Sequence, residues 1–156
     1  MNEKITIENY QENAMRTCLP SARNWDYAIH NYKAGLFELL AKIESFIAKQ
    51  IRDGANFDKA KYLERIKDKL GDCYWQLALL CKLSGRQFAQ GYCECGSVNS
   101  SYIPLVDEPD IMIEFARLDH MRWEFDFDIN EILQRNIEKL ASKAERGVLK
   151  GNGDER

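Results

Sequence analysis

Two long segments of this chain repeat their apolar residues at i, i+3 and i+4, and that spacing narrows the fold more than any other feature. Between about Arg23 and Arg52 the repeat is carried by Ala28, Leu36, Leu39, Leu40, Ile43, Phe46, Ile47 and Ile51. Between about Asp58 and Leu83 it is carried by Tyr62, Ile66, Leu70, Trp75, Leu77 and Leu80. A period near 3.6 puts each set on one side of a helix, whereas a strand would need strict alternation, which is nowhere convincing. The pattern predicts an all-α bundle. Three prolines and nine glycines in 156 residues are few enough to leave such runs unbroken. With 45% hydrophobic and 30% charged residues, the chain can fill one core and reads as globular rather than disordered.

Helix punctuation divides the rest. Thr6 is a candidate N-cap for a first helix carrying Ile7, Tyr10, Ala14 and Cys18, ended by Pro20. Asp53-Gly54-Ala55-Asn56 breaks the second helix, and Asp58 is placed to cap the third. From Gly85 to Asp107 the glycines, serines and Pro104 read as an irregular loop, long enough to suggest a task. Pro109 suits the first turn of a helix over Asp110 to Trp123. A last helix is expected from Asp128 to Arg146, with Ile129, Ile132, Leu133, Ile137 and Leu140 inward and Gly147 closing it. The sum is about five helices in a single domain over residues 1–156, with a loop at about 85–108 and a glycine-rich tail at 147–156.

Charge and composition exclude some classes of partner. A net charge of −3 gives no general attraction to nucleic acid or anionic membrane, so neither is expected. No apolar run approaches the roughly 20 residues of a membrane helix. Met1-Asn2-Glu3-Lys4 leads into a polar stretch unlike a secretory leader, and five scattered cysteines fit a reducing, cytoplasmic setting. Cys93-Glu94-Cys95 with His120 lacks the spacing and the second ligand pair of a zinc site, so ordinary loop thiols are expected. Aromatics Trp123, Phe125 and Phe127 are expected to be core rather than a base-stacking platform. The alternating charges from Lys59 to Lys69 suggest a solvated face.

Four segments together carry a likeness. They are Tyr10-Gln11 with Ala14 and Thr17; Asn31 with Gly35-Leu36; Leu70-Gly71-Asp72 with Trp75, Leu77 and Ala78; and Asn136-Ile137-Glu138-Lys139-Leu140 followed by Arg146-Gly147 and the run from Gly151 to Arg156. In this order they resemble the MazG-like all-α nucleoside triphosphate pyrophosphohydrolases, in the form found in phage and bacteria. The resemblance implies a helical bundle that is a dimer or tetramer. It also implies hydrolysis of a nucleoside triphosphate to monophosphate and pyrophosphate, with Mg²⁺ held by Glu-x-x-Glu on one helix and Glu-x-x-Asp on the next. Residues three apart share a helix face, and a hard divalent ion takes oxygen ligands and positions a water.

Here the ligand set is broken. Registering on Gly35-Leu36 and Leu70-Gly71-Asp72 puts Leu39, Lys42, Lys69 and Asp72 at the four places, so only Asp72 remains as a metal ligand. Three readings follow. In the leading one the chain is a degenerate, nucleotide-binding relative needing no cofactor. Lys42, Lys69, Asn136, Lys139 and Lys143 would then face the phosphates, as would Lys150 and Arg156 in the tail. In the second it is still an enzyme using Mg²⁺ through a shifted carboxylate set of Glu38, Asp68 and Asp72. In the third it is an interaction module with a filled pocket. An open pocket lined by Lys42, Lys69, Asp72, Asn136 and Lys139 would favour the first, three convergent carboxylates the second, and burial of Leu39 and its neighbours the third.

Overall fold

A computed structural model describes residues 3–97 and 109–147. Six α-helices and three short 3₁₀ turns make up its regular structure, with no strand among the described residues. The helices are α1 (Ile7–Met15), α2 (Trp25–Asp53), α3 (Lys59–Leu83), α4 (Phe88–Glu94), α5 (Ile111–Glu124) and α6 (Ile129–Glu145).

The termini follow the local chemistry. Thr6 caps α1 by accepting from the Asn9 amide, and the Asn9 side chain accepts from the Thr6 amide in return. Asn24, Asp58, Asp110 and Asp128 cap α2, α3, α5 and α6 through side-chain oxygens. Gly147 follows α6 at φ 71°, a left-handed position that glycine adopts without strain.

Helix α3 is the axis of the bundle. It touches all five other helices, and α2 packs along it most extensively. Its second half is buried on nearly every side (Leu70, Gly71, Cys73, Tyr74, Gln76 to Cys81), as a helix surrounded by partners must be. Tyr10, Tyr74, Phe88 and Phe115 form an aromatic cluster where α1, α3, α4 and α5 meet, with neighbouring ring centroids 4.9 to 6.0 Å apart.

Several expectations are corrected. The region expected to be a loop contains α4 and the turn Cys95–Ser97; its remainder, 98–108, lies outside the described residues. The described residues therefore form six helices rather than about five. Pro109 precedes the Asp110 cap of α5 instead of opening its first turn. In α2 the apolar residues form two stripes. Leu36, Leu39 and Phe46 face the core, while Leu40, Ile47 and Ile51 are exposed to solvent. Phe127 is buried and Phe125 packs on it, but Trp123 is exposed. Lys69, the end of the charge run expected to be solvated, is buried.

Candidate functional site

Two glycines let α2 and α6 approach α3 where the charged residues meet. A Cβ on Gly35 would fall 2.2 Å from Gln76 Oε1, so the amide of Gln76 occupies space that another residue would fill. On the other flank, a Cβ on Gly71 would lie 3.3 Å from the Asn136 Cβ of α6. Asp72, next to Gly71, is thereby brought within reach of α6, and Lys69, one turn earlier, within reach of α2.

Four charges converge there. Lys69 is 4% exposed, and its Nζ donates to Glu38 Oε2 at 2.6 Å while lying 3.6 Å from Asp72 Oδ2. Lys139 Nζ donates to the other oxygen, Asp72 Oδ1, at 2.6 Å. One turn before Lys139, Asn136 is buried and accepts from the Tyr10 hydroxyl at 2.8 Å. Burial, reinforced by the negative charge of Asp72, pushes the Tyr10 phenol well above its ordinary range. Two carboxylates and two ammonium groups cancel formally, and the Lys69 ammonium lies between the two acids.

The remaining expected residues lie elsewhere. Asp68 turns to α6, where its Oδ1 accepts from Arg135 Nη2 at 2.8 Å and Nε at 3.2 Å. Arg135 also pairs with Glu64. Glu38 and Asp72 are therefore brought together, and Asp68 is held by a separate pair. Leu39 is fully buried and Lys42 exposed, so neither joins Lys69 and Asp72 as the register suggested. Lys143 is half-buried on α6. Lys150, Arg156 and the rest of the tail beyond Gly147 lie outside the described residues.

This arrangement does not fit a resident Mg²⁺. The ion needs several oxygen ligands around one point, and here a buried ammonium occupies the space between Glu38 and Asp72. Among the described residues no group of three His, Cys, Asp or Glu is disposed to hold a metal. Cys93 is exposed, Cys95 is buried and hydrogen-bonded to the Tyr92 carbonyl, and His120 lies beside Glu124, so these three do not form a centre either. A cleft of about 100 Å³ elsewhere is lined by Cys81, Arg86, Ile111 and Phe115 among others. Burial pushes the Cys81 thiol up to about 12, far from a reactive thiolate.

Comparison with protein families, with curated proteins and with solved structures finds no match.

Two contacts, one at the site and one beside it, are not legible in the sequence. Arg135 carried a signal, since it precedes Asn136 and shares a helix face with Lys139 four residues on. Tyr10 belongs to a quoted segment, but its hydroxyl reaches Asn136 across 126 positions of sequence, which no local pattern reveals.

Proposed function

We propose that this chain is a catalytically silent, MazG-like helical module that acts through association, as a homo-oligomer, rather than through hydrolysis. The observation that supports this reading most is Lys69. Its buried ammonium supplies, from within the chain, the positive charge that a divalent ion would bring to Glu38 and Asp72. An ammonium offsets charge but offers no open coordination position for an attacking water. The burial of Leu39 and the exposure of Lys42 favour a filled site over an open nucleotide pocket. Cytoplasmic residence belongs to the same reading; no helix among the described residues is long and apolar enough to cross a membrane.

The test is pyrophosphate release from a panel of nucleoside triphosphates with millimolar Mg²⁺, alongside thermal unfolding with Mg²⁺ alone. The expected outcome is neither release nor a rise in Tm, because no cluster among the described residues is preformed to bind the ion selectively in the folded state. Release that depends on Mg²⁺ and disappears in Asp72→Asn would establish the shifted-carboxylate enzyme instead.

A second reading, metal-free binding of nucleotide phosphates, is favoured by one observation. The Asn136 Nδ2 is buried and has no hydrogen-bond partner among the described residues, one turn from Lys139. A donor left without an acceptor is costly, and an anion beside the middle of α6 would relieve it. On this reading nucleotides without Mg²⁺ raise Tm, and Lys139→Ala removes the rise.

A further inference from the structure

The cleft beside α4 holds a cation that no carboxylate among the described residues answers. Its floor is apolar: Cys81 and Phe115 are fully buried, Ile111 is 6% exposed and Met112 is half-buried. Around the mouth stand Arg86, Gln87, Gln90 and Glu94, all exposed. Arg86 forms no ion pair with a described residue.

The end of α3 sets that cation over the floor. Gly85 lies at φ 73°, its amide donates to the Lys82 carbonyl at 3.3 Å, and the Arg86 amide donates to the Cys81 carbonyl at 2.8 Å. This pair of bonds turns the chain back over the last turn of α3. Gln11 of α1 then clamps the turn. Its Nε2 donates to the Arg86 carbonyl at 3.2 Å, and its Oε1 accepts from the Phe88 amide at 2.6 Å. The charge of Arg86 is felt at the floor, since burial raises the Cys81 thiol and the guanidinium opposes that rise. The thiol stays protonated and serves as a small neutral hydrophobe.

Each part narrows the ligand. A planar guanidinium matches a carboxylate through two parallel hydrogen bonds. The apolar floor rewards a hydrocarbon tail taken out of water. Glu94, which accepts from Gln90 Nε2 at 3.1 Å at the far end of α4, repels a second negative charge and so disfavours dicarboxylates and phosphate. At roughly 12 Å³ for each water-sized group, the cleft holds about eight non-hydrogen atoms. A cation that only complements the carbonyl end of α3 accounts for the charge of Arg86 but not for the apolar space beneath it.

We propose that the cleft between α4, α5 and the end of α3 binds a small aliphatic monocarboxylate, its carboxylate on Arg86 and its tail over Phe115, Ile111 and Met112. The site shares no residue with the Glu38–Lys69–Asp72–Lys139 cluster and does not depend on whether that cluster is silent.

Sodium hexanoate, whose length matches the cleft, is titrated into the full chain and followed by amide NMR. Shifts should centre on Gln87, Gln90, Gly91 and Met112 and give a Kd of about 1 mM, the weak affinity that so few atoms allow. Arg86→Gln should weaken binding about tenfold or more, with unchanged helical circular dichroism because the side chain is exposed. Hexanamide, which keeps the tail without the charge, should bind weaker by a similar factor. Adipate and inorganic phosphate, which add charge, should do the same. The site is overturned if those amides do not respond to hexanoate, or if Arg86→Gln binds it equally well. Adipate or phosphate binding as tightly as hexanoate overturns it too, as do shifts confined to the exposed apolar residues of α2. Pyrophosphate release is measured separately, so loss of this site and loss of catalytic silence are distinguished.

Discussion

The buried ammonium of Lys69 is the residue on which the chemistry turns, and it can be removed in two informative ways. Lys69→Glu leaves Glu38, the new carboxylate and Asp72 around the space where Nζ now sits. Three acids crowd there without a counterion, so the variant should be less stable than wild type in metal-free buffer, by several kcal/mol at most. Millimolar Mg²⁺ should recover part of that loss, seen as a rise in Tm absent from the wild type. If Mg²⁺ leaves the variant's Tm unchanged, the cluster is no metal site in disguise. Asp72→Asn tests the other side: it strips Lys69 and Lys139 of their shared acid at once. Its cost should be about 2 kcal/mol by urea unfolding, reduced because Lys139 is partly solvated, and should exceed that of Glu38→Gln. The replacement of an acid by Lys69 was legible from sequence. A pair between Lys69 and Asp72, three residues apart on one helix, was legible too; the shorter contact with Glu38 was not, because a one-residue error in helix register rotates a side chain by about 100°. That rotation separates Leu39, which faces the core, from Glu38, which reaches Lys69.

At the scale of elements, periodicity located the five longest helices, and their caps were visible as Thr6, Asp58 and Gly147. Periodicity reports that an apolar stripe exists but not how many faces it serves, so in sequence the outer and inner stripes of α2 read as one core-facing set. Helix α4 was missed for a different reason. It is seven residues long with a glycine inside, which reads as a break in a polar loop. Gly91 is instead a packing position: a Cβ there would lie 2.5 Å from the Phe115 ring. Gly91→Ala gains up to about 1 kcal/mol in helix propensity. The Phe115 ring is fully buried and backed by Phe88, which Tyr10 and Tyr74 hold in turn, so overpacking outweighs that gain. A net loss of about 1–3 kcal/mol is expected from urea unfolding. A stabilised Gly91→Ala variant would mean that α4 does not dock on α5 this closely.

Across the whole molecule, three fully buried tyrosines tie the helices to one core, and together they set an alkaline limit. Tyr10 links α1 to α6 through Asn136, Tyr32 links α2 to α5 by donating to Glu114 at 2.7 Å, and Tyr74 stands on the central α3. Burial pushes all three phenols well above their ordinary value near 10.0; nearby negative charge adds to this, from Asp72 for Tyr10, Glu114 for Tyr32 and Asp119 for Tyr74. Above pH 10 the unfolded chain therefore releases three protons that the folded chain keeps. Their contribution is complete below pH 10 and is lost as pH rises toward the folded values, by up to about 4 kcal/mol per pH unit. Cys81 begins the decline slightly earlier, since its thiol moves from 9.0 to about 12 on folding. Urea midpoints should hold between pH 7 and 8.5 and fall steeply from pH 10 to 11. Tyr74→Phe isolates one share. The Tyr74 hydroxyl has no hydrogen-bond partner among the described residues, so its removal should leave stability at pH 8 unchanged or slightly higher. The same variant should lower the alkaline slope by about a sixth, because Tyr74 shares the decline with Tyr10 and Tyr32 and with Tyr92, Cys81 and Cys95, which burial pushes up to about 12, 12 and 11. A midpoint that stays flat to pH 11, or a slope indifferent to Tyr74→Phe, would show that these phenols are not sealed inside the bundle.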